Sequence, residues 1–374
     1  MPLLLFMKPI ILLGEAPSAP EAKLNISFCS AGGIELLRML DEAKVISLTA
    51  IDTDYIRRYW QTTDPELIDM VWRLHESEII RQNVFTQPFP SNNIENICGL
   101  RIHGIPGHPA LIKGTFGYVS FAFQPDLTSL ANTLNHIDPN LVIALGNTPL
   151  WALCGTTGVA KLRGTTRLST HTVADFKVLA TYHPTAVLRQ FELRSVTVFD
   201  LIKAVRENQS PDLLLPEREI WIEPSIADIE EYYENHIRGT DLLSVDIETA
   251  GNQVTCIGFA PSSRSAIVIP FYDGRRKNHS YFPDSVSERR AWVIVSSILG
   301  DRTIPKLFQN GLYDIAFLAR SMNIKVYGAA HDTMLLHHAL QPESLKSLDF
   351  LGSVYTNEGA WKRDHRVITN KRDS

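Results

Sequence analysis

The chain has 374 residues, 44% of them apolar and 21% charged, with a net charge of −5. That balance describes globular matter sufficient for about two ordinary domains and excludes a disordered or low-complexity chain. It also excludes a uniformly basic nucleic-acid coat, although a whole-chain sum leaves room for a local basic groove. Cys29, Cys98, Cys154 and Cys256 lie far apart without a Cys-x-x-Cys pair, which argues against a disulfide framework or zinc ribbon and for reduced thiols. Met1–Leu13 is apolar but too short to span a bilayer and is interrupted by Lys8-Pro9. No membrane partner is expected, and a cytoplasmic location is.

In chain order, the first element is the apolar run Ile10–Leu13, which ends in the turn Gly14-Glu15-Ala16-Pro17. A helix-period segment with Ile34, Leu37 and Leu40 follows Ala31-Gly32-Gly33. Leu141–Leu145 is a second strand, ending at Gly146, and Lys177–Thr181 a third, ending at His183. Strands whose carboxyl ends carry Glu, Gly and His turns, separated by helical stretches, describe an α/β/α sandwich with a central parallel sheet and one active edge. Polar residues and a proline at Glu207–Asp212 break the preceding helix pattern. The expected division is a first domain over 1–208, a linker over 209–218 and a second domain over 219–374.

The first-half motifs together resemble the uracil-DNA glycosylase superfamily, closest to its family 4 branch. Gly14-Glu15-Ala16-Pro17, Ser27-Phe28 with Ala31-Gly32-Gly33, Asn83-Val84-Phe85, Gly146-Asn147-Thr148, Lys161–Gly164 and His183-Pro184-Thr185 carry the resemblance in order. It implies an enzyme that excises a base flipped from the stack. Phe28 would stack on that base and Asn83 would read its edge. Glu15 would position water and stabilise the sugar cation. His183 would hydrogen-bond the developing uracil anion, charge stabilisation worth about 3 kcal/mol. Arg163 and Arg189 would contact DNA, with Leu188-Arg189 placed to probe the duplex. The chain departs from the family at Ser18–Ala22, where a glycine and a terminal acid are replaced. Cys98 and Cys154 do not reproduce the four-cysteine spacing of family 4, so no iron–sulfur cluster is expected.

In the second half, Glu219–Ile222 reads as an edge strand and Ser225 as the cap of a helix over Ile226–His236. The apolar run Leu242–Val245 delivers Asp246 and Glu248 two residues apart, hence on one face of a strand. Asn310-Gly-Leu-Tyr-Asp314 opens an apolar segment and sets a third carboxylate at a helix start. Hard oxygen donors with no histidine or cysteine nearby suit Mg²⁺ or Mn²⁺. Clustered acids of this kind cut phosphodiesters with a pair of metal ions.

This half resembles the 3′→5′ proofreading exonuclease domain of family A DNA polymerases, particularly phage-type ones. Asp246 and Glu248 match its first motif, Asn310 and Asp314 its second, and His331–Leu340 the helix that follows. The resemblance implies an RNase H-like mixed-sheet fold, a metal site of Asp246, Glu248 and Asp314, and Asn310 against the DNA strand. The family's third motif, Tyr-x-x-x-Asp, is missing after Tyr355, and Trp361–Asp373 looks like the segment that leads into it. The expectation is a DNA replication and repair protein of two α/β domains, acting on single-stranded 3′ ends and uracil-containing DNA beside a polymerase module. The alternative is a catalytically degenerate accessory module that binds DNA and positions primer or polymerase.

Overall fold

A computed structural model describes residues 8–49, 54, 64–88, 111–114, 117–120, 124–215, 217–356 and 358. Cys98 and the segment Trp361–Asp373 lie outside the described residues. The chain divides into two compact units, Met1–Leu214 with Gly352–Ser374, and Leu215–Leu351. Ser353 and Thr356 take hydrogen bonds from Arg163 and Lys203, at 2.8 and 2.6 Å.

The strands of the first unit are β1 (Ile10–Gly14), β2 (Ile79–Asn83), β3 (Leu111–Gly114), β4 (Gly117–Ser120), β5 (Val142–Leu145), β6 (Thr166–Thr170) and β7 (Ala174–Thr181). β3 and β4 form a separate antiparallel pair. The others make one sheet in the order β2-β1-β5-β7-β6. All its pairings are parallel except β6 against β7 at one edge, so the expected central parallel sheet is present. Alternate residues serve opposite faces. Leu12, Ile143 and Leu179 pack with Leu36, Leu37 and Leu201, while Leu13, Val142 and Val178 pack with Leu127, Leu134 and Leu150. Burial on both faces is why these strands read as unbroken apolar runs. The stretch that departs from the family pattern is a capped helix, Ala19–Leu24, with Ser18 and Glu21 closing a capping box.

The second unit contains β8 (Glu219–Ile222), β9 (Leu243–Ala250), β10 (Gln253–Ala260), β11 (Ser265–Pro270), β12 (Lys306–Phe308) and β13 (Ala329–Asp332). They form a mixed sheet ordered β13-β12-β9-β10-β11-β8. β9–β10 and β10–β11 are antiparallel, and the remaining pairs parallel. Val245, Ile247, Ile257, Phe259, Ile267 and Ile269 bury one face against Ala291, Val295, Ile298 and Leu299 of the helix Ser285–Gly300. Ser225 caps as expected, its hydroxyl accepting from Asp228 N while the Asp228 carboxylate accepts from Ser225 N. The helix expected over Ile226–His236 is α-helical only through Tyr232. A π turn then runs over Tyr233–Ile237, and His236 stacks on Tyr232 at 4.6 Å. Among the described residues no helix is long and apolar enough to cross a membrane.

Candidate active sites

In the first unit the expected side chains gather at the carboxyl ends of β1, β2, β5 and β7. Gly14 ends β1 opposite Asn83, the last residue of β2. A methyl group on Gly14 would lie 2.4 Å from Asn83 Oδ1 and 2.6 Å from Phe28 Cζ. Amide and ring therefore close on the same backbone position, and only glycine leaves them room. Asn83 Nδ2 donates to Ser27 Oγ at 3.3 Å, which orients the amide. Phe28 sits in the left-handed region at φ 56°, a conformation costing a bulky residue roughly 1–2 kcal/mol. Its carbonyl accepts from Trp72 Nε1 at 3.0 Å, and Gly33 approaches it so closely that a Cβ there would lie 1.7 Å from the oxygen. These contacts hold the ring toward the site.

The His183 ring centroid lies 6.3 Å from that of Phe28. His183 caps the helix Pro184–Arg189, its Nδ1 accepting from Thr185 N at 3.3 Å. Accepting an amide proton requires a bare Nδ1, so the neutral ring carries its proton on Nε2, a donor free to meet an anion. Burial, and secondarily the Arg189 charge, push this imidazole down to about 4. Glu15 accepts from Thr148 Oγ1 at 2.6 Å, at the start of the helix Asn147–Cys154. Burial raises its carboxyl above the usual range, and the Thr148 bond partly opposes that.

The two groups give opposite pH signatures. Protonation of His183 favours the unfolded chain, whose imidazole titrates near 6.5, so its contribution to stability is lost as pH falls from about 6.5 to about 4. Glu15 favours its protonated form in the fold, so its contribution is lost as pH rises from 4.5 through its raised value. Base release needing an ionised Glu15 and a neutral His183 should rise with pH about a midpoint above 4.5, with no second limb from the imidazole near 6.5. A pH–rate profile checks this. Gly14→Ala should cost about 1–3 kcal/mol by overpacking and displace Phe28 or Asn83; thermal melting measures the first and base release the second.

Arg163 does not fit the role expected of it. It is 3% exposed, with its Nε 2.8 Å from Asp200 Oδ2 and its Nη2 on Asp200 Oδ1. A guanidinium consumed by a buried carboxylate cannot meet a phosphate, so this residue is structural. Arg189 is exposed, flanked by Leu188 at 41% and Phe191 at 72% exposure.

In the second unit Asp246 and Glu248 are exposed on one face of β9, between the buried Val245 and Ile247. β12 pairs with β9 only as far as Ser244. Beyond it, the Ile247 amide donates to Asp314 Oδ1 at 3.2 Å from the first turn of the helix Gly311–Ser321. The third carboxyl thus meets the backbone of β9 at Ile247, the residue that separates the other two acids in the sequence. Burial raises the Asp314 carboxyl, and the charges of Asp332 and Glu248 add to that. Asn310 is the N-cap of this helix at φ 60°, and its amide donates to Asp332 Oδ1 at 3.1 Å. Asp332 also accepts from the Gly311, Met334 and Leu335 amides and caps the helix Thr333–Leu340.

Among the described residues no group of three or more His, Cys, Asp or Glu side chains forms a set that could hold a metal ion. Asp246 and Glu248 lie on β9 and Asp314 on the helix Gly311–Ser321. The sequence placed no cysteine nearby, yet β10 sets Cys256 directly opposite Glu248. Burial, then the Glu248 and Asp246 charges, raise its thiol, so it stays protonated and adds no soft thiolate. The donor set is carboxylate oxygen and fits a hard divalent ion.

Residues 6–204, a little over half of the chain, match the model of the uracil DNA glycosylase superfamily. The chain belongs to the uracil DNA glycosylase superfamily. Residues 223–372 match the model of a 3′-5′ exonuclease family, so the two domains stand in the order the resemblances implied. The part matched by the glycosylase-superfamily model carries the mostly parallel sheet and the part matched by the exonuclease model the mixed one. No curated protein matches the chain. Solved structures similar to it include Trypanosoma brucei RNase D in complex with RNA U12, at 16% identity and a TM-score of 0.26 over 34% of this chain and 41% of that one. Brucella melitensis NrnC with bound Mg²⁺ aligns at 19% identity and a TM-score of 0.24, over 37% of this chain and 61% of that one. The EXD2 exonuclease domain soaked in Mn aligns at 17% identity and 0.24, over 33% and 58%. The chain spans less than two thirds of the length of each.

Three functional contacts escaped the sequence. Thr148 on Glu15 joins residues 133 positions apart, and no local pattern signals it. Thr185 follows His183 by two residues, and His-Pro-Thr at a helix start was a legible capping signal. Cys256 depended on the register across the turn between β9 and β10.

Proposed function

We propose that the chain is a DNA replication and repair protein, with a metal-dependent 3′→5′ exonuclease in its second domain and a base-excision site in its first. The hydrogen bond of Asp314 to the Ile247 amide, on the strand whose outward residues are Asp246 and Glu248, supports this reading. Asp246, Glu248 and Asp314 would hold a divalent ion, Mg²⁺ or Mn²⁺, which would supply positive charge at the scissile phosphate. The protein's own part is positional. β9 fixes Asp246 and Glu248 on one face, while Asp332 binds the Asn310 and Gly311 amides and so holds the helix that presents Asp314. Asn310 stands at its tip, where a strand end would pass. The expected biological setting is proofreading of a primer end next to a family A polymerase module.

In the first domain Phe28 stacks on a flipped base and Asn83 reads its edge. The Nε2–H of His183 donates to the base oxygen as the glycosidic bond breaks, and the Glu15 carboxylate faces the sugar cation. A neutral donor held ready through the physiological range needs no proton transfer before it stabilises the anion. Arg189 contacts the flanking backbone.

The test supplies the purified chain with two substrates: a duplex with a mismatched 3′ end plus Mg²⁺, and a uracil-containing duplex in EDTA. Stepwise 3′ shortening that EDTA stops, and alkali-sensitive sites at uracil that Glu15→Gln abolishes, are the expected results. Absence of both activities would contradict the reading and leave a DNA-binding accessory role in its place.

A further inference from the structure

The segment that carries the stacking ring, Ser27-Phe28, is held from β2 and from the helix Pro65–Arg73. β2 pairs with β1 in unbroken register from Ile79 to Asn83, so Ile79, Arg81 and Asn83 share one face. The contacts agree with the register. Asn83 Nδ2 donates to Ser27 Oγ at 3.3 Å, and Arg81 Nη1 donates to the Ser27 carbonyl at 3.0 Å. The base-reading amide and the arginine two residues before it grip the same residue.

The helix Pro65–Arg73 supplies the other hold. It starts on the Asp64 cap, whose carboxylate accepts from Glu66 N at 3.1 Å. Asp69 and Trp72 are buried on it, three residues apart and so on one side. Asp69 accepts from Arg81 Nη2 at 2.8 Å and from Arg73 Nε at 2.7 Å. The Arg81 guanidinium lies over the Trp72 ring, 5.3 Å from its centroid. Trp72 Nε1 in turn donates to the Phe28 carbonyl at 3.0 Å, and the Trp72 and Phe28 ring centroids are 6.3 Å apart. Two consecutive carbonyls, of Ser27 and Phe28, accept from two side chains that are themselves in contact. Such a junction needs donors in two directions and a flat cationic face for the indole, which arginine has and lysine lacks. For packing alone an apolar side chain would serve as well as Arg81, since burying an ion pair carries a desolvation cost.

We propose that Arg81 and Trp72 are positioning residues for base capture. Through the Ser27 and Phe28 carbonyls they fix Phe28 at its left-handed φ of 56°, and so fix the ring on which a flipped base stacks. The role rests on the base-excision reading of this site and adds to it two residues that act through Phe28. Without these donors the Phe28 backbone relaxes toward the ordinary region and carries its ring off the base.

The test uses a duplex with 2′-fluorodeoxyuridine at the target position, whose sugar resists cleavage, and a neighbouring 2-aminopurine that brightens when the base leaves the stack. The full chain is titrated onto it in EDTA. Wild type should brighten the probe saturably. Arg81→Lys keeps the charge beside Asp69 without the planar fork, and should melt near wild type yet bind about tenfold more weakly, within the range of a base–aromatic stack. Trp72→Phe, which removes the donor to the Phe28 carbonyl and keeps a ring, should weaken binding by a similar factor, and reads the same role should Arg81→Lys not fold. In a Phe28→Ala background neither substitution should weaken binding further, because the ring they position is gone. Wild-type binding in the folded variants, or losses that add in full to that of Phe28→Ala, would overturn the positioning role and leave the base-excision reading standing. A wild-type chain that does not brighten the probe would overturn both.

Discussion

Asp246→Ala should reduce 3′ shortening by about 10³-fold, equivalent to about 4 kcal/mol of transition-state stabilisation, without lowering the melting temperature. Both halves of that expectation come from the same geometry. The side chain is exposed on β9, so its removal opens no cavity, while the core beneath it, Val245 and Ile247, is untouched. The acid is one of two that face outward from the strand segment on which Asp314 closes, so its loss removes a hard oxygen donor and a unit of charge. Asp246→Asn should be nearly as damaging, since it keeps the shape and loses the charge. Uracil release from the same preparations should be unaffected, because no part of the first domain's site uses Asp246. A loss of both activities would instead mean that the substitution unfolds the chain.

Asp200→Ala should destabilise the glycosylase-superfamily domain by about 3–5 kcal/mol, since removing one partner strands the other charge in the interior. Asp200 is 1% exposed and accepts from Arg163 Nε, Arg163 Nη2 and Thr181 Oγ1, the last at 2.6 Å. Arg163 in turn donates to Ser353 Oγ, and Lys203 to the Gly164 and Thr356 carbonyls. Gly164, at φ +69°, lets the chain approach this cluster, since a Cβ there would lie 2.7 Å from Asp200 Oδ1 and 2.8 Å from the Ser353 carbonyl oxygen. The double variant Arg163→Leu with Asp200→Leu should recover much of the loss, because it buries no unpaired charge. Urea unfolding of the wild type and the two variants, followed by tryptophan fluorescence, gives the comparison. Equal stability of the single and double variants would show that the pair is not the source of the cost.

Much of this was legible in the chain because simple periods carried it. The alternation Val245-Asp246-Ile247-Glu248 states which side is core and which is solvent, and the structure follows it residue by residue. The doubly buried runs at Ile10–Leu13 and Val142–Leu145 announced a parallel sheet, and the residues just past their ends line the first site. The antiparallel edge β6 was not announced, since a short polar-alternating strand next to a turn has no long apolar run.

The misreading of Arg163 has a physical cause. A basic residue inside a Lys-Leu-Arg-Gly motif reads as a surface contact, while its counter-ion lies 37 positions on, in a helix recognised only by its apolar spacing. Cys256 was missed for a related reason. Its position opposite Glu248 depends on a register shift between Val254 and Cys256, and a bulge leaves little trace in composition.

The account rests most heavily on Asp246, Glu248 and Asp314 acting as one divalent site. Titration of Mn²⁺ into the metal-free full chain, read by electron paramagnetic resonance, measures this without any substrate. Saturable binding in the wild type that is weakened in Asp246→Ala, Glu248→Ala and Asp314→Ala alike is the predicted result. Mn²⁺ binding that survives all three substitutions, or that is missing from the wild type, would contradict it.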